Sequence, residues 1–369
     1  MITIKKIYKK DVLALFDNRS FWNHEFFSIS KHRLLAHFNN PNLDNDDIVL
    51  VLGYLNDELL GYMGVFIDKI IINNQEQKIG WLSTWWVHPK TKGSGIGREI
   101  LNTMYSENDG KIGISQFTPS AKRVYDKSEF FVNLKENLGI KAVLRSNLAY
   151  LIPEIKPKLK IFKPIFKLFD FSLNTFIIIK QCFNKKSILN DLQDIKIEYL
   201  NAIDSESNDF INQNNNDHLS KKSKEFFNWL KQYPWVLEAP ILELTQKSKY
   251  EFSMVANRFQ IYLTKVIDNN VPIGFVVLQI RDNTLKVLFA YYGQNHVVQI
   301  SNIIKLQAIN QGIYEIICYD PAICSKLKQS KLFIYQRKKI KNSIISKAFN
   351  KDNFDEIIMN YGDGDCCFA

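Results

Sequence analysis

The sequence predicts an α/β protein, more narrowly α+β, with two domains that are each a mostly antiparallel mixed sheet flanked by helices. Its 369 residues exceed what one ordinary core holds. A hydrophobic content of 46% with 23% charged residues is typical of globular chains. A strand meander followed by a turn and a helix occurs twice, which indicates a structural repeat without obvious sequence identity.

The elements of the first half follow from apolar alternation and turn residues. We predict a strand over 2–7, helices over 9–17 and 20–38, a hairpin of 48–55 and 60–70 around Asn56-Asp57, a strand over 77–88 after a turn at Asn73-Asn74, a helix over 93–105, a strand over 112–117 and a helix over 120–127.

The second half repeats this order after a polar, Asn-rich stretch, 201–219, that reads as a surface loop. We predict a helix from Lys224, strands over 259–267, 273–281 and 285–292 with a turn at Asn269-Asn270, a helix over 296–310, a strand over 313–319 and a helix over 321–329. The predicted units are therefore a first domain over 1–150, a connector over 151–200 and a second domain over 201–369.

The connector is basic and apolar, with lysines placed among Ile, Leu and Phe. A segment lying on a membrane surface is one interpretation. Three prolines, Pro153, Pro157 and Pro164, should break any long amphipathic helix, so membrane contact is not expected. No run is long enough to cross a bilayer and the first residues lack the apolar core of a signal peptide, so we expect a cytoplasmic protein.

The charged and sulfur-containing residues limit the possible partners. The formal net charge of +10 favours anionic partners such as phosphorylated small molecules, although lysines on a solvated surface would give the same excess. Five cysteines without a paired framework or zinc spacing indicate reduced thiols and no metal site. Neither the charge nor the cysteines define a reaction.

One string carries the chemistry: Val87-His88-Pro89-Lys90-Thr91-Lys92-Gly93-Ser94-Gly95-Ile96-Gly97-Arg98. An apolar strand ends at a proline, passes through a glycine-rich turn and opens a helix. Such a turn points unpaired backbone N–H groups one way, and with the helix dipole they form a pocket for a pyrophosphate. Glycines let phosphate oxygens approach the backbone, and Lys90 and Lys92 add positive charge.

Three kinds of nucleotide site compete for this turn. A dinucleotide site needs Gly-x-Gly-x-x-Gly in a first βα unit, whereas Gly93, Gly95 and Gly97 have a different spacing and follow an antiparallel meander. A P-loop needs Gly-Lys-Ser/Thr, which Gly97-Arg98-Glu99 does not supply. The third pattern, a basic residue followed by x-x-Gly-x-Gly, fits this turn. The simpler alternative is a tight strand–helix turn that binds no nucleotide.

This remaining pattern, Lys92 to Gly97, resembles motif A of the GCN5-related N-acetyltransferases, the GNAT superfamily. Downstream, Ala121 to Phe130 resembles the family's next helix and its exit, with Tyr125 and Phe130 in register. Thr118 stands where the family usually has Asn, and Glu129 where it usually has Gly. The resemblance spans about residues 2–135 and implies two GNAT-like domains, the second degenerate.

The resemblance implies a site for acyl-CoA, carrying acetyl or hydroxyacyl, with no metal. Its contacts would come from Trp86, Val87, Lys92, Gly93, Ser94, Gly95, Ile96, Gly97, Arg98, Thr118 and Tyr125. Tyr125 would protonate the departing thiolate, since a phenol of pKa about 10 can give a proton to a thiolate of pKa about 8–9 when hydrogen-bonded to it. The backbone of 81–87 would hold the thioester, and splaying of this strand from its neighbour is usual in the family.

The general base is harder to predict because 80–87 contains no carboxylate. His24 and Glu25 are candidates in an aromatic segment that should face the acceptor, although a lone histidine is more often structural. We predict that the acceptor is bound by residues from both domains: Trp22, His32, Ser83, Thr84, Trp85, Trp229, Trp235, Tyr291 and Tyr292. The aromatic ones could stack on a base or sugar, and ordinary core packing is the alternative.

The second half lacks the glycine turn, since Tyr291-Tyr292-Gly293-Gln294-Asn295-His296 stands at the equivalent place. We therefore expect one CoA per chain, in a monomer or dimer. The two-domain architecture is similar to that of N-acyltransferases that modify a dTDP-linked 3-amino-3,6-dideoxyhexose for surface polysaccharide. The alternatives are a peptide, polyamine or aminoglycoside acetyltransferase, a FemX-like aminoacyl transferase, and a non-catalytic module that binds membranes or nucleic acid; we expect no nucleic-acid partner.

Overall fold

The computed structural model describes the chain except for Glu25, Asn74, residues 239–251, Ser253, Met254, residues 350–353, Asp355 and Ala369. In the first half the strands are β1 Ile2–Tyr8, β2 Ile48–Leu55, β3 Glu58–Ile72, β4 Gln75–Val87, β5 Ile112–Ile114 and β6 Phe131–Val143. Its helices are α1 Val12–Asp17, α2 Arg19–Trp22, α3 Lys31–Phe38, α4 Ile96–Glu107 and α5 Pro119–Ser128.

The remaining elements form the connector and the second half. The connector contains α6 Leu148–Ile155, a 3-10 segment Pro157–Phe162 and α7 Lys163–Asp191. The second half contains β7 Ile195–Leu200, α8 Ser205–Gln213, α9 Lys224–Gln232, β8 Leu237–Glu238, β9 Val255–Ala256, β10 Phe259–Asp268, β11 Val271–Arg281, β12 Thr284–Tyr292, α10 Val297–Asn310, β13 Glu315–Cys318, α11 Pro321–Gln329 and β14 Tyr335–Ser346.

The two halves share one twelve-stranded sheet in the order β1-β2-β3-β4-β5-β14-β6-β13-β12-β11-β10-β7. Neighbouring strands in this sheet are antiparallel except for the parallel pairs β4–β5 and β12–β13. The two ends of the sheet are equivalent: β7, β10, β11, β12 and β13 of the second half correspond in order to β1, β2, β3, β4 and β5 of the first. The two-domain α/β fold class is therefore confirmed, with the two sheets fused into one.

The last strand of each half is exchanged. β14, at the end of the second half, pairs with β5 of the first half, and β6 pairs with β13 of the second. The exchanged strands also pair with each other over twelve residues of β14, from Tyr335 to Ser346. Each half therefore needs the other to complete its sheet, so the two predicted domains are interlocked rather than joined by the connector alone.

Some elements were not predicted from the sequence. No strand was predicted at β6, because Asn133, Lys135 and Glu136 interrupt the apolar alternation, and none was predicted at β14. β7 lies within the predicted connector, and α8 lies within the predicted loop 201–219. The predicted helix over 20–38 is two helices, separated by the break between Trp22 and Lys31.

The expectation that prolines break the connector was wrong at Pro164. Pro164 lies in the first turn of α7, where the missing N–H has no intrahelical acceptor in any case, and the whole helix is 29 residues long. Pro153 lies inside α6, which ends two residues later at Ile155. Among the helices that the structure describes, none is long and apolar enough to span a membrane.

Candidate active site

The glycine turn connects β4 to α4. Pro89–Thr91 forms one turn of 3-10 helix, and Gly93 and Gly95 then adopt left-handed conformations with φ of 86° and 87°. Both angles favour glycine, because other residues pay a steric cost there. A Cβ atom built on either glycine would meet no atom within 4 Å, so the space in front of this backbone is open.

A cavity of about 860 Å³ lies in front of the turn. Its walls are formed by Trp85, Val87, His88, Pro89, Thr91, Lys92, Gly93, Gly95, Ile96, Gly97, Arg98, Leu101, Asn102, Val124, Lys127 and Ser128. The first helical hydrogen bond of α4 is donated by Glu99 to Gly95, so the N–H groups of Gly97 and Arg98 precede the intrahelical ladder. These N–H groups, the helix dipole and the charges of Lys92, Arg98 and Lys127 suit a pyrophosphate.

The strand before the turn carries a β-bulge. Tyr62 pairs with Trp86 and Gly64 with Ser83, so Thr84 and Trp85 stand opposite the single residue Met63. Thr84 has a φ of 50°, which is strained for a β-branched residue. A bulge leaves backbone groups of the longer strand outside the ladder, and these groups are available to a ligand.

β4 and β5 separate next to this bulge. They pair only at Gly80–Ile112 and Trp81–Gly113, after which β4 continues to Val87 while β5 ends at Ile114. Ser83 on one side and Ser115 on the other flank the opening, and both are buried. The structure thus contains the splayed strand pair that the family resemblance implied.

A carboxylate from the far end of the chain bridges this opening. Ser83 Oγ donates a hydrogen bond of 2.9 Å to Asp365 Oδ2, and Ser115 Oγ donates to Asp365 Oδ1. Asp365 follows Gly364, which has a φ of 71° and at which a Cβ atom would clash with Ser115. No sequence signal pointed to Asp365, because 282 residues separate it from Ser83.

The carboxylate belongs to the C-terminal segment, residues 356–368, which buried polar contacts fix to the sheet. Lys341 Nζ donates to the Tyr361 carbonyl oxygen over 3.0 Å, and the Gly362 N–H donates to the Leu288 carbonyl oxygen over 2.8 Å. Asp363 accepts a 2.6 Å hydrogen bond from Ser220, and Lys222 Nζ lies 3.9 Å from it. These contacts hold the residues that immediately precede Asp365.

Tyr125 lies beside the opening, on the face of α5 that packs on the sheet. Its ring centroid is 5.3 Å from that of Trp85, which lines the cavity, and 5.4 Å from that of Phe131. Burial, and then the negative charge of Asp365, raise the pKa of Tyr125 well above its usual value. The phenol is therefore protonated at neutral pH and can donate a hydrogen bond.

A second set of polar groups approaches Ser83 from α3. The guanidinium of Arg33 donates to Ser83 Oγ, and its Nε lies 3.4 Å from Nε2 of His37, one helical turn further. Burial, and then the positive charge of Arg33, lower the pKa of His37 well below its usual value, so His37 is neutral. Neither residue was predicted as part of the site, although their i, i+4 spacing on one helix face is a visible pattern.

Comparisons with known proteins bear on this geometry. Residues 12–117 match the model of the acetyltransferase (GNAT) family. That segment contains the bulged strand and the glycine turn, and it ends before Tyr125.

Residues 12–117 form a GNAT-like domain.

One solved structure shares the fold of this chain with a TM-score above 0.5. A conserved protein of unknown function from Enterococcus faecalis V583, a probable N-acyltransferase, has a TM-score of 0.51 at 9% identity, covering 94% of this chain and 72% of that chain. A GCN5-related N-acetyltransferase from Anabaena variabilis ATCC 29413 has a TM-score of 0.49 at 10% identity, over the same 94% and 72%. No curated protein sequence matches this chain.

In the first half, some of the predicted CoA contacts line the cavity and others do not. Val87, Lys92, Gly93, Gly95, Ile96, Gly97 and Arg98 line the cavity. Ser94 instead accepts a hydrogen bond from the Ile96 N–H at 3.3 Å, and Thr118 caps α5 by accepting from the Ala121 N–H. Trp86 packs on Phe26, and Lys90 forms a salt bridge with Glu58, so its charge is partly neutralised.

The predicted base His24 is not brought together with Tyr125. His24 lines a separate small cavity at the β2–β3 hairpin, with Phe26 and Asn56–Leu59. Glu25 lies outside the described residues, so the structure gives it no position. Asp365 is the carboxylate that the structure places at the splayed strands.

The predicted acceptor contacts in the first half lie in different environments. Ser83, Thr84 and Trp85 are at the bulge, whereas His32 is half-buried on α3. Trp22 donates its indole N–H to the Leu15 carbonyl oxygen over 2.7 Å and stays within its own segment. Of this group, only the bulge residues adjoin the candidate active site.

The aromatic cluster of the second half was predicted wrongly. Trp229, Trp235 and Tyr291 are each at most 3% exposed and belong to the core between the halves, where no base or sugar could reach their faces. The indole of Trp229 donates to the Ala36 carbonyl oxygen across the interface. Tyr292 is half-buried and donates to Asp320 over 2.7 Å. The core-packing alternative therefore applies, because the exchanged sheet needs large side chains between its halves.

Proposed function

We propose that this protein transfers an acyl group from acyl-CoA to an amine, with one CoA site per chain, in the GNAT-like domain. One observation carries the proposal: the open glycine turn, the bulge at Thr84 and the carboxylate of Asp365 all adjoin the same opening between β4 and β5. The backbone of 93–98 would hold the pyrophosphate. The unpaired edge of β4 would hold the pantetheine arm and the thioester.

Asp365 is proposed as the general base. The amine nitrogen attacks the thioester carbonyl carbon, a C–N bond forms, and the nitrogen loses a proton to a carboxylate oxygen of Asp365. The C–S bond then breaks and the electron pair leaves with the CoA sulfur as a thiolate. Backbone N–H groups at the bulge are positioned to stabilise the oxyanion that forms between the two steps.

Tyr125 is proposed as the donor to the departing sulfur. Its raised pKa makes full proton transfer to a thiolate of pKa about 8–9 uphill, so Tyr125 acts first as a hydrogen-bond donor to the developing thiolate. Burial, the larger cause of the raised pKa, persists throughout the reaction, but once Asp365 has taken the amine proton its negative charge is gone and the pKa of Tyr125 falls in part. The base and the acid are therefore coupled, since uptake of the first proton prepares Tyr125 to give up the second.

The proposed acceptor is the amino group of a nucleotide-linked amino sugar, of the dTDP-3-amino-3,6-dideoxyhexose type. The net charge of +10 supports an anionic nucleotide diphosphate and disfavours polyamines and aminoglycosides, which are polycations. Because Trp229 and Trp235 are buried, a nucleotide base cannot stack on them, and stacking gives no support for this substrate. The acceptor class therefore rests on charge and on the two-domain architecture.

The proposal is tested by supplying acyl-CoA with a panel of amines and measuring free CoA with a thiol reagent. The panel contains nucleotide-linked amino sugars, free amino sugars, a polyamine and an aminoglycoside. We expect CoA release with the nucleotide-linked amino sugars. Turnover with a polycation alone would replace the acceptor class, and no turnover with any amine, together with no CoA binding by calorimetry, would refute acyl transfer.

A further inference from the structure

The connector presents a large apolar surface that no described part of the chain covers. We define the connector face as the exposed large apolar side chains of α6, the 3-10 segment and α7: Tyr150, Leu151, Ile155, Ile161, Phe162, Ile165, Leu168, Phe169, Phe171, Leu173, Phe176, Ile178, Ile179, Phe183 and Leu189. Continuous exposed patches of this kind mark interaction sites in folded proteins. Acyl transfer uses none of these residues.

The connector face is held firmly to the body of the protein. Ile177, Gln181 and Ile188 form a buried stripe on the opposite side of α7. Gln181 donates to the Leu144 carbonyl oxygen over 3.2 Å, and Asp170 accepts hydrogen bonds of 2.8 Å from the N–H groups of Leu148 and Ala149. The outward direction of residues such as Phe176 and Phe183 is therefore fixed by packing. At 29 residues, α7 is about 44 Å long.

The charges around the connector face are almost all positive. Residues 150–190 contain eight lysines: Lys156, Lys158, Lys160, Lys163, Lys167, Lys180, Lys185 and Lys186. The two carboxylates in this range are Glu154 and Asp170, and Asp170 is buried as the cap of α6. Within the described residues no carboxylate forms a salt bridge with any of these lysines. An apolar face bordered by unpaired lysines complements an anionic surface that has an apolar interior.

A cavity of about 460 Å³ opens beside the connector face. Arg145, Lys163 and Lys167 line it together with Tyr150, Phe171 and Ile178. Asp170 also lines it, and the oxygens of this carboxylate accept hydrogen bonds from Ser146 Oγ and from the N–H groups of Leu148 and Ala149. The Nε atom of Arg145 is buried there and has no hydrogen-bond partner within the described part of the chain. A buried, unpaired guanidinium nitrogen and two lysines that line the same cavity suit a phosphate oxygen, and the apolar walls suit the chain attached to it.

We propose that the connector face docks this protein on the surface of an anionic phospholipid bilayer, with a lipid phosphate in the cavity at Arg145. α7 would lie in the plane of the interface, with its apolar side chains among the acyl chains and its lysines at the headgroups. A second copy of the chain fits less well. Apposing two connector faces would bring together sixteen lysines, eight from each copy.

The test is flotation of the purified full-length chain with vesicles of phosphatidylcholine alone, or of phosphatidylcholine with about 30% phosphatidylglycerol. We expect binding to the anionic vesicles only. Raising NaCl from about 0.1 M to about 1 M should weaken it, because the Debye length falls from about 10 Å to about 3 Å.

Two double variants separate the apolar and the electrostatic contributions. Lys163→Gln with Lys167→Gln should lower the partition coefficient about 30-fold, at about 1 kcal/mol for each lysine. Phe176→Ser with Phe183→Ser should lower it at least about tenfold. The matched controls, Lys224→Gln with Lys331→Gln and Val271→Ser, change exposed residues elsewhere and should bind like the wild type. Circular dichroism and CoA binding establish that each variant is folded.

Three outcomes would overturn the proposal. The first is no binding to anionic vesicles by a folded chain, including the case in which inorganic phosphate alone binds at Arg145. The second is a stable dimer in sedimentation that only the Phe176/Phe183 variant dissociates. The third is binding to oligonucleotides instead of vesicles that depends on Lys163 and Lys167 but not on Phe176 and Phe183.

Discussion

The two halves of the sheet repeat one topology but use its central opening differently. In the first half, β4 and β5 separate beside a cavity formed by the glycine turn. In the second half, β12 also carries a bulge, at Leu288, and diverges from β13. There Gly362 donates to the Leu288 carbonyl oxygen and Asn360 Oδ1 accepts from the Ala290 N–H. The chain itself thus occupies backbone groups that the first half leaves open.

This difference indicates that the second half supports the site of the first half instead of forming a CoA site of its own. Gly293, at the second turn, has a φ of −66°, so the left-handed conformations that open the first turn are missing there. Having lost the turn, the second half holds the C-terminal segment instead. That segment continues to Asp365, in the opening of the first half. One half would therefore bind CoA, and the other would deliver the carboxylate that completes its chemistry.

The largest expected effect comes from removing that carboxylate. Asp365→Asn keeps the size of the side chain but cannot accept the amine proton, so kcat should fall about 10²- to 10⁴-fold. CoA affinity, measured by calorimetry, should stay within about twofold, because Asp365 lies outside the cavity at the turn. Asp209→Asn, at an exposed position on α8, is the matched control. An unchanged kcat in the Asp365 variant would show that the two halves are not coupled in this way.

The next effect tests the attachment of the C-terminal segment. Lys222, Asp68 and Asp363 are each at most 3% exposed, and Lys222 forms a salt bridge with Asp68. Lys222→Met leaves the buried carboxylate of Asp68 without its cation and leaves Asp363 with Lys341 alone, which should cost about 3–5 kcal/mol of unfolding free energy. The fraction folded is followed by urea titration and turnover is measured where the variant is still folded.

If Lys222 acts by holding Asp365 in place, folded Lys222→Met should bind CoA normally and turn over more slowly. Adding Asp68→Asn to it should recover part of the stability, because one uncompensated charge is removed. Equal losses of CoA affinity and turnover would indicate general loosening of the fold instead.

A smaller effect, limited to acid, comes from His218 beside the same segment. His218 stacks on Tyr291 with ring centroids 5.0 Å apart, and its Nδ1 lies 2.8 Å from Asn360 Nδ2. Burial lowers the pKa of His218 from 6.5 to about 4. Between these values the unfolded chain binds more protons than the folded one. The contribution of neutral His218 to the unfolding free energy is therefore complete above pH 6.5. It is lost as pH falls, and the loss is about 3 kcal/mol near pH 4.

His218→Asn keeps a polar partner for Asn360 and cannot titrate. Urea unfolding at several pH values should show a flatter profile between pH 4 and 6.5 for the variant than for the wild type. Parallel profiles would mean that His218 is already protonated in the folded state.

Local patterns were predictable from the sequence, whereas long-range contacts were not. The glycine turn is one contiguous string, and its spacing alone separated it from dinucleotide and P-loop sites. The meanders of both halves were predicted because strand alternation and Asn-rich turns are local. Pro164 was misread because the effect of a proline depends on its position in the helix.

The missed features all depend on which distant segments meet. Asp365 approaches Ser83 only because β14 enters the first half and carries the C-terminus across the sheet. Trp229 and Trp235 resembled ligand-stacking residues because the sequence does not reveal the interface that the exchanged strands create. Composition indicated how many aromatic residues the core could hold, but not which surface each would face.

The last prediction compares the two turns directly by placing the same methyl group in each. Gly95→Ala adds a Cβ at a left-handed position that faces the open cavity, so it strains the turn by about 1–2 kcal/mol and narrows the pyrophosphate site. The dissociation constant for CoA should rise about tenfold or more. Gly293→Ala has an ordinary φ, and its Cβ would lie 3.2 Å from the flexible ring of His296, so CoA affinity should not change. CoA affinity of both variants is measured by calorimetry. Equal losses of affinity would mean that both turns contact CoA. An unchanged affinity in Gly95→Ala would mean that CoA does not bind at the glycine turn.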